Sequence, residues 1–198
     1  WSSDVCSSDL AGTLPLSTSL DSIGVIAHDV RSCWLLDSVI AERPLELQPQ
    51  DLRHARFAVP QSRVLDGLDA TVAEAWQRAL AALQQAGATL VNIALSELDE
   101  LSAMNARGGI TAWEAWQWHQ RTAVAQPDAY DPQVLVRVQR GGYLTEEDAA
   151  QLYRQRKNWQ ERINAALAGF DALLMPTVPC IAPTIASLDD AQRYMEIN

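Results

Sequence analysis

The chain has 198 residues, of which 48% are hydrophobic, and a formal net charge of −10. This length fits a single domain, and the hydrophobic content argues against a mostly disordered chain. The acidic charge argues against a nucleic-acid partner and against binding to an anionic membrane surface. No apolar run approaches the ~18 residues of a membrane span, and no signal peptide is recognisable.

Residues 1–10 match the translation of a widely used sequencing-library adapter, WSSDVCSSDL. No initiator methionine precedes them, and the chain stops at Asn198 without a helix stop signal. We therefore interpret residues 1–10 as adapter-derived and exclude them from fold prediction, and we expect residues 11–198 to be part of a longer protein. Outside the adapter, Cys33 and Cys180 show no metal or redox spacing, which favours the cytoplasm; a lost N-terminus could still have carried a signal.

The first native segments predict a loop, a helix and a connector. Residues 14–22 contain Pro15 and several hydroxyl side chains, which favour an extended or looped segment. Apolar residues three and four apart predict a helix over residues 25–41. Two prolines in residues 42–50 indicate a connector.

A strand, a helix and a second strand follow. Residues 55–59 are a short apolar run that ends at Pro60, and residues 89–94 are another. Between them, one apolar stripe, Asp69 in the first turn and Gly87 after the end predict a helix over residues 68–85. The short joints predict a βαβ unit with parallel strand pairing.

Helical patterns dominate the rest of the chain. Thr145, followed by Glu147 and Asp148, is typical of a capped helix start with an acidic first turn. A buried strand is predicted over residues 171–175, stopped by Pro176. The predicted helices span residues 96–106, 109–125, 132–140 and 145–168.

Two short patches carry a resemblance to a known family. Residues 12–24 are GTLPLSTSLDSIG, and residues 170–183 are FDALLMPTVPCIAP. In this order they resemble two segments of the amidase signature family, and Pro-Thr-x-Pro after Asp-x-Leu-Leu is the more specific of the two. The resemblance implies that residues 11–198 form part of the amidase signature domain, an α/β fold with a mixed β-sheet covered by helices in an α/β/α sandwich.

The resemblance also implies a chemistry. The family hydrolyses carboxamides with a nucleophilic Ser, a second Ser in a cis peptide and a Lys, and backbone N–H groups of a Gly-rich loop hold the oxyanion. No Gly-Ser-Ser-Gly-Gly loop is present here, and Lys157, the chain's one lysine, falls in a helix predicted to face solvent. The Lys and both Ser are therefore expected upstream of Gly12, and we expect this chain alone to be inactive, with no cofactor and no metal.

Ser17, Ser19 and Asp21 form the densest cluster of small polar side chains. No Gly-x-Ser-x-Gly elbow surrounds either serine, so we expect both to cap a turn. The resemblance implies that Asp21 braces the catalytic loop from behind. His28 stands where the family usually has Arg, which makes it a substrate-binding candidate. His28 and Asp29 cannot form a triad if both are helical, because adjacent helical side chains point about 100° apart; a helical surface position is the simpler alternative for His28.

Three further groups are candidates for a binding role. Trp113, Trp116, Trp118 and His119 fit either a helix docked on the core or the aromatic wall of a substrate pocket. Arg137 and Arg140 both precede a Gly-Gly pair, as a substrate-contacting Arg does in some family members; of the two, Arg137 matches the family register, although a salt bridge is the alternative. Three basic residues indicate the solvated face of a helix: Arg154, Arg156 and Lys157.

The implied function is hydrolysis of the C–N bond of a small-molecule amide, with no nucleic-acid or membrane partner. A homodimer is compatible with these expectations. One alternative is an amidotransferase A-type subunit that uses glutamine, which shares both patches. The other is a non-catalytic α/β binding module, which predicts a phosphate-binding glycine loop; the joint after Pro60 has no such glycines.

Overall fold

The computed structural model describes residues 12–42 and 51–188. The predicted adapter, residues 43–50 of the predicted connector and residues 189–198 lie outside these ranges. The described residues form two compact units: a helical unit of residues 12–42 and 102–158, and a sheet unit of residues 51–101 and 159–188. The helices and strands are α1 (Val30–Ile40), β1 (Arg56–Pro60), α2 (Ala70–Gln85), β2 (Thr89–Ile93), α3 (Glu97–Met104), α4 (Gly109–Ala125), α5 (Pro132–Arg140), α6 (Glu146–Leu167) and β3 (Ala172–Leu173).

The sheet unit contains three parallel strands in the order β2, β1, β3. β1 pairs with β2 along its whole length, from Arg56 opposite Thr89 to Pro60 opposite Ile93. Ala58 and Val59 are buried in β1, so the central strand supplies part of the apolar core. Because α2 connects two parallel strands, the predicted βαβ unit is confirmed.

The strand β3 is shorter and more exposed than the sequence predicts. It covers only Ala172–Leu173, which pair with Phe57 and Ala58 of β1. The prediction of a buried strand over residues 171–175 was therefore wrong. Among the described strands β3 has a partner on one side only, and an edge strand of this kind is commonly short.

Asp69 joins the start of α2 to the proline-rich patch that follows β3. One carboxylate oxygen accepts a hydrogen bond from the Val72 amide at 2.7 Å, which caps the helix. The other accepts from the Ile181 amide at 2.6 Å, and the Asp69 amide donates to the Pro179 carbonyl at 2.9 Å. These three bonds hold the patch against the helix start.

We expect Asp69→Ala to lower the thermal midpoint of the chain by several degrees. Asp69→Asn keeps one acceptor oxygen, so its midpoint should fall between those of the unsubstituted chain and Asp69→Ala. The hydrogen bonds from Val72 and then Ile181 lower the pKa of Asp69. The stabilisation is thus present above the ordinary carboxyl pKa and lost as the pH falls through the lowered value. Thermal circular dichroism at neutral and acidic pH measures this. The exposed neighbour Asp66→Ala is the control; equal midpoints for the two alanine variants would refute the role of Asp69.

In the helical unit, α4 and α5 have the predicted bounds, and the turn Gly141–Tyr143 lies against α4. A methyl group on Gly141 would overlap the carbonyl oxygen of Ala112 and would lie 2.6 Å from the Cβ of Trp116. The predicted start of α6 is also confirmed: Thr145 and Asp148 cap it reciprocally, with the Asp148 amide donating to the Thr145 hydroxyl at 3.1 Å.

Helix α1 begins at Val30 and not at residue 25 as the spacing predicts. Asp29 has extended backbone dihedrals, and its carboxylate caps the helix by accepting from the Ser32 amide at 2.7 Å. His28 consequently precedes the helix and is exposed, so its predicted position on a helical surface was wrong. An aspartate that caps a helix interrupts an apolar pattern that would otherwise continue.

None of the helices in the described ranges combines the length and the hydropathy that a membrane crossing requires.

Candidate functional site

The site is built around residues 15–21, which we call the Ser17 loop. The Asp21 carboxylate accepts hydrogen bonds from the Leu16 and Ser17 amides, both at 2.9 Å. The Ser17 carbonyl accepts from the Leu20 amide at 2.9 Å and from the Asp21 amide at 2.7 Å. Asp21 therefore closes the turn from within, and its implied role in bracing a neighbouring catalytic segment stays a prediction.

Glu114 of α4 binds this loop with a buried carboxylate. Its side chain is only 8% exposed, and Oε2 accepts from the Ser17 hydroxyl at 2.6 Å and from the Ser19 amide at 2.9 Å. Oε1 accepts from the Tyr153 hydroxyl of α6 at 2.5 Å. One carboxylate thus links the Ser17 loop, α4 and α6.

These contacts shift two pKa values. Burial by itself would raise the pKa of the Glu114 carboxyl, but the hydrogen bonds from Ser17, Tyr153 and Ser19 outweigh it and leave the pKa below its ordinary value. Burial and the bond to Glu114 raise the pKa of Tyr153 to about 12. The stable state at neutral pH is therefore an ionised Glu114 that accepts from a neutral Tyr153.

His119 holds the beginning of the same loop. It is 6% exposed, and its Nε2 lies 2.8 Å from the Pro15 carbonyl oxygen, while Nδ1 lies 2.8 Å from the Tyr130 hydroxyl. A carbonyl can only accept, so Nε2 carries a proton and donates to it. In the neutral imidazole, Nδ1 then accepts from Tyr130.

Arg156 of α6 supplies a third attachment. Its guanidinium donates to the Ser19 hydroxyl and to the Ser19 carbonyl, both at 3.2 Å. The prediction that Arg154, Arg156 and Lys157 are simply a solvated face was therefore wrong for Arg156. A long basic side chain can leave its helix face and reach a loop that sequence spacing does not reveal.

The structure separates the two candidate serines. Ser17 is 2% exposed and donates to Glu114, so it is not an accessible nucleophile. Ser19 is exposed, but its hydroxyl accepts from Arg156. The expectation that both cap a turn through their hydroxyls was wrong: the Ser17 hydroxyl bonds to a side chain 97 positions away, and the Ser19 hydroxyl bonds to one 137 positions away.

The remaining candidates lie elsewhere in the helical unit. His28 is exposed in the segment before α1, and Arg137 is half-buried on α5. Trp113 and Trp116 are half-buried, whereas Trp118 is 50% exposed and makes an edge contact with the His119 ring. The substrate-binding roles of His28 and Arg137 stay predictions.

One feature of α4 could have indicated that its polar side chains make buried hydrogen bonds. Ala112, Ala115 and Ala123 form a buried stripe along α4, and His119 falls on the same stripe. A polar side chain on a buried helical stripe requires a hydrogen-bond partner. That argument could have marked Glu114 beside the stripe, and could have given the candidate His119 a hydrogen-bonding role, but it could not have named Ser17, Tyr130 or Tyr153 as the partners.

In the sheet unit, an apolar groove lies beside the Pro-Thr-x-Pro patch. Its volume is about 360 Å³, and it is bounded by α2 and by the residues that follow β3. The lining includes Val72 and Trp76 on one side and Met175 and Thr177 on the other.

Comparison with known proteins identifies the family. A family model described as Amidase matches residues 5–198. The chain belongs to the amidase family. A crystal structure of an amidase superposes with a TM-score of 0.76 at 29% identity, covering 87% of this chain and 38% of that one. The recognition from the two patches and the predicted α/β fold are both confirmed.

Three curated proteins that are similar to this amidase-family chain carry different descriptions. A 2-amino-5-chloromuconic acid deaminase of Comamonas testosteroni is 30% identical, covering 94% of this chain and 41% of that protein. An indoleacetamide hydrolase of Agrobacterium vitis is 29% identical, covering 87% and 40%. The A-type subunit of a glutamyl-tRNA(Gln) amidotransferase of Novosphingobium aromaticivorans is 32% identical over 42% of this chain and 20% of that protein. The chain spans about two fifths of the length of the first two.

Proposed function

We propose that the protein hydrolyses the C–N bond of a small-molecule carboxamide to a carboxylate and ammonia or an amine. The observation that carries this proposal is the match of the Amidase model over residues 5–198. The indoleacetamide hydrolase among the relatives supports an amide as the substrate.

The reaction we propose is acyl transfer through a serine. A Lys keeps a bridging Ser poised as a base, this Ser takes the proton of the nucleophilic Ser, and the nucleophile attacks the amide carbonyl. The C–N bond then breaks, the leaving nitrogen takes the proton, and water hydrolyses the acyl-enzyme. The family resemblance implies that these three residues stand upstream of Gly12, outside the 198-residue sequence.

The residues of this chain have supporting roles in the proposal. Asp21 braces the catalytic segment through the Ser17 loop, and Arg137 and His28 contact the substrate. In the sheet unit, the groove beside Met175 and Thr177 is a separate candidate binding surface. Its largely apolar lining suits an aromatic or aliphatic acyl group.

A second candidate is the A-type subunit of a glutamine-dependent amidotransferase, which the Novosphingobium relative supports. The two candidates differ in the amide that is used. An amidase releases ammonia from indoleacetamide or benzamide without a nucleic-acid partner, whereas the amidotransferase component uses glutamine and passes the ammonia on.

We further propose a cytoplasmic enzyme, of which this chain is a fragment, and a homodimer is compatible with the proposal. The support for the compartment is the cysteine usage: Cys33 and Cys180 are free thiols in the described part of the chain.

The experiment is to express the protein from its parent gene and treat it with a fluorophosphonate or a sulfonyl fluoride. We expect loss of ammonia release from amides with one label per chain, on a Ser upstream of Gly12, and little effect of thiol reagents on Cys33 or Cys180. The 198-residue chain alone is the control and should release no ammonia. A full-length protein that takes no label would refute the serine mechanism, and activity of the chain alone would refute the upstream position of the catalytic residues.

A further inference from the structure

We propose that Glu114 is a positioning residue, whose buried carboxylate fixes the Ser17 loop and, through it, the catalytic segment that the amidase proposal assigns to the preceding part of the protein. The catalytic half of this inference rests on the proposed function. The half that concerns the loop rests only on the contacts of this chain.

The loop's internal bonds do not fix its position in the unit. The bonds from Asp21 to the Leu16 and Ser17 amides join loop residues to one another. The described bonds that attach the loop to the surrounding helices come from Glu114, His119 and Arg156. The loop can therefore keep its internal conformation while it shifts relative to α4 and α6.

Glu114 is the strongest of these attachments. Arg156 reaches exposed Ser19 at 3.2 Å, where water can replace it, and His119 contacts one carbonyl. Glu114 accepts two bonds from the loop, one of them from the hydroxyl of Ser17, a residue that is only 2% exposed. Without the carboxylate, that hydroxyl has no water to bond to, so the loop must move to satisfy it.

The ionised form of the side chain strengthens these bonds, because a charged acceptor bonds about twice as strongly as a neutral one. Both oxygens accept: Oε2 takes the Ser17 and Ser19 donors, and Oε1 takes the Tyr153 donor. A glutamine has one acceptor oxygen and one donor NH₂ group. In Glu114→Gln the oxygen can keep both loop donors while the NH₂ group donates to the Tyr153 hydroxyl oxygen, so the decisive substitution is Glu114→Ala, which removes both acceptor oxygens.

The first test measures amide hydrogen exchange in the chain as it stands. In Glu114→Ala we expect the Ser19 amide to exchange about tenfold faster or more, the factor for losing one hydrogen bond to a charged group. The Leu16 and Ser17 amides, bonded to Asp21, should change less. Glu100→Ala is the matched control, because Glu100 pairs with Arg162 in the other unit.

Two further variants keep this test decisive. Ser17→Ala removes one loop bond and leaves the carboxylate, so it should raise Ser19 exchange by a smaller factor. The double variant should exceed Glu114→Ala only slightly, because the two groups share one bond. Unchanged Ser19 exchange in both single variants overturns the proposal, as does a double variant that shows the two full effects added.

The second test uses the full-length enzyme. We expect Glu114→Ala to lower kcat roughly ten- to a hundredfold while KM stays within about twofold, because a displaced catalytic segment loses orientation more than substrate binding. If the unsubstituted full-length enzyme is active and the Glu114 variant has the same kcat, the proposed effect of Glu114 on catalysis is wrong. A parent that neither releases ammonia nor takes a serine label refutes the proposed function instead, and the exchange measurement then decides the loop half by itself.

Discussion

Replacing Gly141 with alanine should unfold the helical unit or destabilise it by about 3 kcal/mol or more, the upper range for overpacking a close contact. The added Cβ would overlap the backbone carbonyl oxygen of Ala112, and it would lie 2.6 Å from the Cβ of Trp116. Neither atom is the flexible end of a side chain. The backbone of Gly141 has φ of −63°, which alanine adopts freely, so the whole cost comes from the overlap.

Two glycines of the same unit serve as controls. At Gly24, an added methyl group would have no atom within 4 Å, so Gly24→Ala should leave the unfolding free energy unchanged. At Gly142, the Cβ would lie 3.0 Å from the Trp116 ring, so Gly142→Ala should have an intermediate effect. Chemical denaturation followed by circular dichroism measures all three. A Gly141→Ala variant as stable as Gly24→Ala would show that α4 and the turn after α5 can separate without cost.

The helices that the sequence located well are those with local start signals. Pro132 is the first residue of α5, as predicted, whereas Asp69, which was predicted inside the first turn of α2, is its N-cap; both act on neighbours within one turn. The start of α1 was missed because Asp29 was counted within the helical pattern when it is itself the cap. In α1 and in α2, the aspartate that caps the first turn therefore determines where the helix begins.

The candidate site depended on contacts that no local pattern contains. Ser17 and Glu114 are separated by 97 positions, and Arg156 and Ser19 by 137. The composition of residues 12–24 marked the loop as special, but only the fold could show which helices hold it. The shortness of β3 could not be predicted for the same reason, because the length of an edge strand depends on which strands lie beside it.

At alkaline pH, the ionisation of Tyr153 should report on the state of the site. The pKa of Tyr153 is raised from 10.0 to about 12 by burial and by the bond to Glu114. Folding thus favours the neutral phenol, and this stabilisation is complete below pH 10 and lost as the pH rises through 12. A two-unit shift corresponds to about 2.7 kcal/mol. Because Tyr153 keeps 38% of its surface exposed, solvent screening reduces this to about 1 kcal/mol.

Tyrosinate absorbance near 295 nm and denaturation at several pH values test this directly. We expect one tyrosine to ionise near pH 12, and Tyr153→Phe to remove that step and flatten the loss of stability between pH 10 and 12. In Glu114→Gln the step should move to lower pH but stay above 10, because the negative charge is gone while burial, the larger cause, persists. Tyr143→Phe, at an 80% exposed position, is the control and should leave the step in place. A high-pH step that survives Tyr153→Phe would show that Tyr153 and Glu114 are not bonded in solution, and the attachment of α6 to the Ser17 loop would then depend on Arg156 alone.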